Sequence, residues 1–357
     1  MSIKNKILIL FVLIYGHVFA QIGGQSSFVN LSFSNSARNE ALGGYTLALY
    51  DSDASLGSCN PAVINKDQHG QLVLNYVNYF ADSDYGFSSY THHNPKIGTF
   101  NFAIYYANYG KFDYADASGF RNGSRFTAND IILQTGMGRQ INDKFSIGSN
   151  LKLVSSFLES YNSFAIASDF ALSYRNTEKE SAMGLIIKNL GYQIKSYANN
   201  NRENLPLAID FGISKKLSHA PFRFSFTYHD LQKWNITYFD INSSYETDPL
   251  TGELLELESP KFITHFFNHI VIGTELLLTE NFHIRMGYNF KKRNEMKPEI
   301  RPGTTGFSWG LGLKVKKYHI SYAISKSYLS ATTNHFTIQR KIGKKPNVDG
   351  FYRQHTD

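Results

Sequence analysis

The sequence predicts an all-β transmembrane barrel of the outer-membrane type. Three observations carry that prediction: an export signal at the start, no later apolar run long enough for a spanning helix, and many segments in which apolar and polar residues alternate. The alternation is clearest over 282–290, where Phe282, Ile284, Met286, Tyr288 and Phe290 are separated by His283, Arg285, Gly287 and Asn289. A strand sends successive side chains to opposite faces, so the first set lies on one face and the second on the other. The same period recurs over 318–325, 222–229 and 97–108, the last placing Asn101 on the polar face. A soluble sandwich rarely carries Arg, Lys and His on so many of the faces opposite its apolar ones. A membrane barrel needs both sets, apolar toward lipid and polar toward the lumen.

The first element is the export signal, 1–20. Lys4 and Lys6 precede an apolar stretch over 7–15, and Val18-Phe19-Ala20 supplies small-residue cleavage chemistry before Gln21. This is too short to span a bilayer as a helix. It exports the chain from the cytoplasm, and its removal leaves a mature chain beginning at Gln21, which as a membrane protein would span the outer membrane. Mean hydropathy is -0.30, as expected where lumenal residues dilute lipid-facing ones. The 23 Tyr and 28 Phe bring the aromatic share to 15%, with 18% charged residues. That balance fits aromatic girdles and an apolar outer wall. One cysteine, Cys59, excludes an internal disulfide framework and reads as a small buried residue. The net charge of +7 is scattered and accompanies no nucleic-acid motif, so it fits an anionic surface such as lipopolysaccharide.

The second element, 21–69, does not alternate. It holds the glycine pairs Gly23-Gly24 and Gly43-Gly44, a short helix expected near 36–42, and Phe28, Leu31, Phe33, Leu42, Leu47 and Leu49, which need an apolar surface to pack on. A plug, or hatch, inside the lumen meets that need. The third element, 70–342, is the barrel. Strands are expected near 70–80, 84–93, 97–108, 128–140, 144–156, 161–175, 181–190, 206–217, 221–231, 265–278, 281–291, 305–315, 318–327 and 334–342, about fourteen in all. Even-to-odd connections are short and several odd-to-even ones, including 109–127, 191–205, 233–264 and 292–304, are long. That is the periplasmic-turn and outer-loop asymmetry of outer-membrane barrels. The last element, 343–357, is a basic tail on the periplasmic side, either solvated or in contact with a periplasmic partner.

No catalytic set and no cofactor or metal site stands out. No Gly-x-Ser-x-Gly elbow is present. His265 and His269, four apart on one expected strand, would lie about 13 Å from each other at roughly 3.3 Å per residue, too far to share a metal. The long outer loop over 233–264 is the most distinctive segment. It combines Trp234, Tyr238, Phe239, Tyr245, Leu254, Leu255 and Leu257 with an acidic run, the composition of a partner-docking surface rather than a solvated loop.

The run Ser36-Ala37-Arg38-Asn39-Glu40-Ala41-Leu42-Gly43-Gly44, then Asp51-Ser52-Asp53-Ala54 and Asn60-Pro61-Ala62, resembles the N-terminal hatch of the FadL-like outer-membrane barrels. Arg38, Gly43, Gly44, Asp51, Asp53, Asn60, Pro61 and Ala62 carry the motif. The segments 74–82, 97–100 and 109–112 narrow the resemblance to the PorV/PorQ branch, on its PorQ side, found in the type IX secretion system of Bacteroidota. The resemblance implies a fourteen-stranded barrel with a hatch. It also implies a non-enzymatic role in the attachment complex, holding a PorZ-like surface protein so that cargo is processed and joined to lipopolysaccharide. The alternative it implies is a FadL-like channel for hydrophobic small molecules.

Overall fold

The computed structural model describes residues 26–79, 82–116, 118–198, 202–236, 245–247, 254–256, 261–296, 303–326 and 332–342. The expected signal peptide, the C-terminal tail and Tyr238, Phe239 and Leu257 of the outer loop lie outside them. Tyr245, Leu254 and Leu255 fall on a short hairpin pairing Tyr245–Thr247 with Leu254–Glu256.

Among the described residues, fourteen antiparallel strands close into one barrel. They are β1 (Gln71–Asn78), β2 (Asp84–Asn94), β3 (Gly98–Ala115), β4 (Arg121–Gln140), β5 (Phe145–Leu158), β6 (Tyr161–Asn176), β7 (Ser181–Lys195), β8 (Ala208–Lys216), β9 (Phe222–Tyr228), β10 (Ile270–Leu277), β11 (Phe282–Asn289), β12 (Phe307–Val315), β13 (Tyr318–Lys326) and β14 (Thr332–Lys341). Each pairs with its neighbours in sequence, and β1 closes on β14 from Gln71↔Lys341 to Asn78↔Asn334. Closure leaves no unpaired edge, which is what lets a sheet stand in hydrocarbon. No described helix is long and apolar enough to cross a membrane; the strands supply the outward apolar face.

The alternation maps onto the two faces. On β12, Trp309, Leu311 and Leu313 are exposed while Ser308 is buried; on β3, Phe102, Ile104 and Tyr106 are exposed while Asn101, Ala103 and Tyr105 are buried. Connections at one end of the barrel run two to five residues, as in 95–97 and 316–317. The other end carries the segments 229–269 and 290–306 between strands. Short turns at one end and longer connections at the other are the asymmetry expected of outer-membrane barrels.

Three expectations are corrected at the loop end. The stretch 109–127 is mostly strand rather than loop: after a bulge between Asn108 and Lys111, Lys111 pairs with Thr127, Phe112 with Phe126 and Asp113 with Arg125, extending β3 and β4 past the rest of the wall. The expected strand over 265–278 starts only at Ile270, because Phe262–Asn268 forms helix α2. The helix α3, Phe290–Met296, follows β11, so Phe290, expected on the lipid face of a strand, opens a helix. In α2 the aromatic-rich run mimics strand composition, whereas Phe290 merely continues the alternation of β11 by one position before α3 begins. His265 therefore sits in α2 and His269 is the residue that ends it.

The lumen is occupied by the N-terminal segment. Helix α1, Ala37–Ala41, packs on β11 to β14, the 3-10 turn Pro61–Val63 on β4 to β6, and the turn Ala54–Ser58 on β1 to β4. Ser214 donates to the Ala48 carbonyl from β8 (2.7 Å) and Thr227 to the Tyr45 carbonyl from β9 (3.1 Å). A Cβ on Gly184 of β7 would meet the Leu47 carbonyl at 2.6 Å, and one on Gly273 of β10 would meet Leu42 at 3.1 Å. The segment thus touches every strand of the ring.

Candidate functional site

Local chemistry shapes the segment before the wall holds it. Ser36 caps α1, its hydroxyl accepting from the Asn39 amide at 3.2 Å. Gly43 and Gly44 end the helix in left-handed backbone (φ 94° and 88°), a conformation costly for residues with a Cβ. The Gly44 amide closes the turn on the Asn39 carbonyl at 2.9 Å. Further on, Asn60 caps the turn that Pro61 opens: its Oδ1 accepts from the Ala62 amide at 2.9 Å. Its Nδ2 donates to the Leu47 carbonyl at 2.6 Å and to Ser173 at 3.1 Å, tying the turn to β6. Ser146 of β5 donates to the Ala62 carbonyl at 2.7 Å.

Arg38 gathers the rest of the motif. Its guanidinium holds Glu275 of β10 with two bonds of 2.9 Å, Asp51 at 2.8 and 3.1 Å, and Asp53 at 3.1 Å. Arg285 of β11 reaches Glu275 at 2.9 Å, and Arg223 of β9 reaches Glu275 at 3.0 Å and Asp51 at 3.1 Å. Gln339 of β14 donates to Asp53 at 2.7 Å. Three cations and three carboxylates share the cluster, so its formal charge cancels. Burial alone would lower the Arg38 pKa, but Asp51, Glu275 and Asp53 raise it well above its ordinary value. Burial would raise that of Asp51, but Arg38 and Arg223 hold it below the usual carboxylate range. A second tie joins α1 to α3: Lys292 pairs with Glu40 at 2.9 Å. Burial opposes the Glu40 charge, yet Lys292 brings its pKa down to about 2.

On the loop side of the segment lies a chamber of about 810 Å³. Leu31, Phe33, Ile132 and Leu205 contribute apolar lining, and Lys152, Asp169, Lys188 and Asp210 contribute charge. Lys152 bridges Asp169 (2.9 Å) and Asn189 (2.8 Å), and Lys188 pairs with Asp210 at 2.8 Å. Asn189 is left-handed (φ 57°) where the β6–β7 register shifts, and its amide donates to Asp169 at 2.8 Å. Among the described residues, Gln134 Nε2 and Asn30 Oδ1 on the chamber wall are buried without a hydrogen-bond partner. Cys59, expected to be buried, is half-buried and lines the chamber. Its Sγ lies 3.1 Å from Asn35 Oδ1, and burial pushes its pKa up to about 11.

Of the motif residues, Arg38, Asp51 and Asp53 meet in one cluster, while Asn60, Pro61 and Ala62 form a separate contact on the opposite wall. Of the outer-loop residues, Trp234 sets its ring 4.8 Å from that of Phe262 of α2, tilted by 34°. Phe282, Ile284, Met286 and Tyr288 lie on the outward face of β11. Sequence reasoning missed Glu275, Arg223 and Gln339 as partners of the segment. The usable signal was a charge on the inward parity of a strand, as at Glu275 between the outward Thr274 and Leu276.

No family model matches the chain, and no curated protein does. Solved structures do. The toluene transporter TodX of Pseudomonas putida aligns over 86% of this chain and 96% of its own, with 14% identity and a TM-score of 0.51. A deltaS2 mutant of TodX, a monoaromatic hydrocarbon channel, aligns over 87% and 98% with 12% identity and a TM-score of 0.52. A Pseudomonas aeruginosa FadL homologue aligns over 87% and 99% with 10% identity and a TM-score of 0.48. At these identities the likeness is one of fold. Among the described residues the molecule is a closed fourteen-stranded barrel, and its fold is similar to that of the TodX barrels.

Proposed function

We propose that the protein is a FadL-like outer-membrane passage for small hydrophobic or amphipathic molecules, which enter the chamber from the loop end. The observation that carries this reading is the 810 Å³ chamber itself, held inside a barrel between the N-terminal segment and the outer loops. The fold shared with a transporter and a hydrocarbon channel supports it. Because charged pairs line the chamber beside its apolar residues, the favoured cargo has a polar end and an apolar body. Proteoliposomes containing the protein should take up a short-chain fluorescent fatty acid faster than empty ones. Equal rates would remove this reading.

A second reading is favoured by the hatch motif and by the Arg38 cluster, which puts six charges where a dry path for hydrocarbon would run. In it the barrel is a non-enzymatic outer-membrane component of a type IX attachment complex. It is exported by a cleaved signal peptide and holds a PorZ-like protein on the cell surface close to lipopolysaccharide. Deleting 241–260 should then leave the barrel inserted and release that partner into the medium. A partner that stays on cells lacking the whole gene would exclude the scaffold.

A further inference from the structure

The rim between β9 and β12 carries a helix whose amphipathicity is reversed. In α2, Phe262, Ile263, Phe266 and Phe267 are 71%, 55%, 39% and 38% exposed, whereas Asn268 is buried and His265 is half-buried beside the Trp234 ring. Positions i, i+1, i+4 and i+5 share one helix face, so the exposed face is wholly apolar. A helix standing in water turns such a face to the core. The segment is not loosely placed. The two ring nitrogens of His269 lie against the carbonyl oxygens of His229 (2.7 Å) and Trp234 (3.0 Å), and Asn294 of α3 donates to Asn268.

That exposed face is continuous with the outer wall of the barrel. Phe266 lies 5.9 Å from Tyr228 of β9, ring centre to ring centre. Phe267 lies 5.1 Å from Phe290, Phe290 4.7 Å from Tyr288 of β11, Tyr288 4.6 Å from Phe307 of β12, and Phe307 6.4 Å from Trp309. Trp309, on the outward face, is exposed along with Leu311 and Leu313. An unbroken path of rings therefore leads from the lipid-facing wall up to the helix, and Trp234 extends it through Phe262.

We propose that α2 lies in the outer-leaflet lipid, its exposed rings among the acyl chains, and anchors the short-stranded side of the barrel at the interface. Interfacial helices bury an aromatic and aliphatic face in this way, and aromatic rings collect at the boundary of hydrocarbon and headgroup. The inference rests on the barrel reading of the fold and not on what the chamber carries.

The test uses the full chain and its two tryptophans. Trp309→Phe leaves Trp234 as the reporter, and Trp234→Phe leaves Trp309. Each folded barrel, identified by heat-modifiable gel mobility, is reconstituted into dioleoylphosphatidylcholine vesicles with and without phosphatidylcholine brominated on its acyl chains. Both tryptophans should lose half or more of their emission to bromine, Trp234 most to bromines near the headgroup, and iodide should quench Trp234 weakly. Adding Phe262→Asp and Phe266→Asp should cut the bromine quenching of Trp234 several-fold and leave that of Trp309 unchanged. If Trp309 is quenched while Trp234 is untouched by bromine and open to iodide, α2 stands in water or awaits a protein, and the proposal is overturned. If neither is quenched, the membrane-barrel reading fails with it.

Discussion

The N-terminal segment meets two walls of the same barrel, and both bring its backbone close to strand glycines, with Gly43 over Gly287 on one and Pro61 over Gly148 on the other. Only the first adds an ionic cluster. On β9, β10, β11 and β14 it is also held by charge: Arg38, Asp51 and Asp53 interlock with Arg223, Glu275, Arg285 and Gln339. On β4 to β7 it is held by close backbone approach, with Pro61 and Ala62 lying over Gly138 and Gly148, and Leu47 over Gly184. A Cβ at Gly148 would come within 2.6 Å of the Ala62 amide nitrogen, with the Pro61 carbonyl closer still. The first seam is directional and sensitive to the loss of one partner. The second is steric and tolerates no added volume. A plug that must stay shut gains from both; one that must move can release the ionic seam without disturbing the other.

Breaking the ionic seam should have the largest effect. Arg38→Met leaves Glu275, Asp51 and Asp53 short of a partner in a buried site, and uncompensated buried charge costs about 3–5 kcal/mol. Hydrogen exchange over 36–58 should accelerate strongly while the strand amides stay protected. Acid should loosen the neighbouring tie next. The Glu40 pKa is about 2 in the folded chain against an ordinary 4.5. A carboxylate with a depressed folded pKa stabilises above its unfolded pKa and loses that contribution as pH falls through the folded one. The Glu40–Lys292 tie should therefore hold above pH 4.5 and weaken steadily toward pH 2, an effect of about 3 kcal/mol. Glu40→Gln should flatten that dependence of exchange in α1.

The steric seam should respond less, and to the opposite kind of change. Gly148→Val forces the Pro61–Val63 turn off β5, an overpacking cost of about 1–3 kcal/mol. Protease added on the turn side of reconstituted barrels should then cut near 60–66, and the ionic cluster should persist. The smallest effect is expected for Ser146→Ala, which removes the bond to the Ala62 carbonyl and costs about 1 kcal/mol. If Ser146→Ala exposed the segment as much as Arg38→Met, the two seams would not differ as described.

Much of this arrangement was legible in the chain, and the reasons are physical. Period-two alternation depends only on the strand backbone and a two-faced environment, so β3, β9, β11 and β13 could be read from their own residues. The cap at Ser36 and the turn at Asn60-Pro61 are equally local. The partners of Arg38 were not legible, because Glu275 lies 237 positions away and only closure of the ring brings them together. Helices α2 and α3 were hidden for another reason. Phe, Ile and Thr, which make up most of α2, are strand formers by propensity, and Phe290 extends the β11 alternation by one residue before α3 takes over.

The measurement closest to the central claim, that the N-terminal segment closes the lumen, is ion conductance in planar bilayers. It compares the full chain with one lacking 26–67, each first shown to be a folded barrel by heat-modifiable mobility. The full chain should pass no steady current, and the shortened chain should open large, stable steps. Equal conductance from the two would contradict the claim, since removing a segment that touches every strand would then have left the path for ions unchanged.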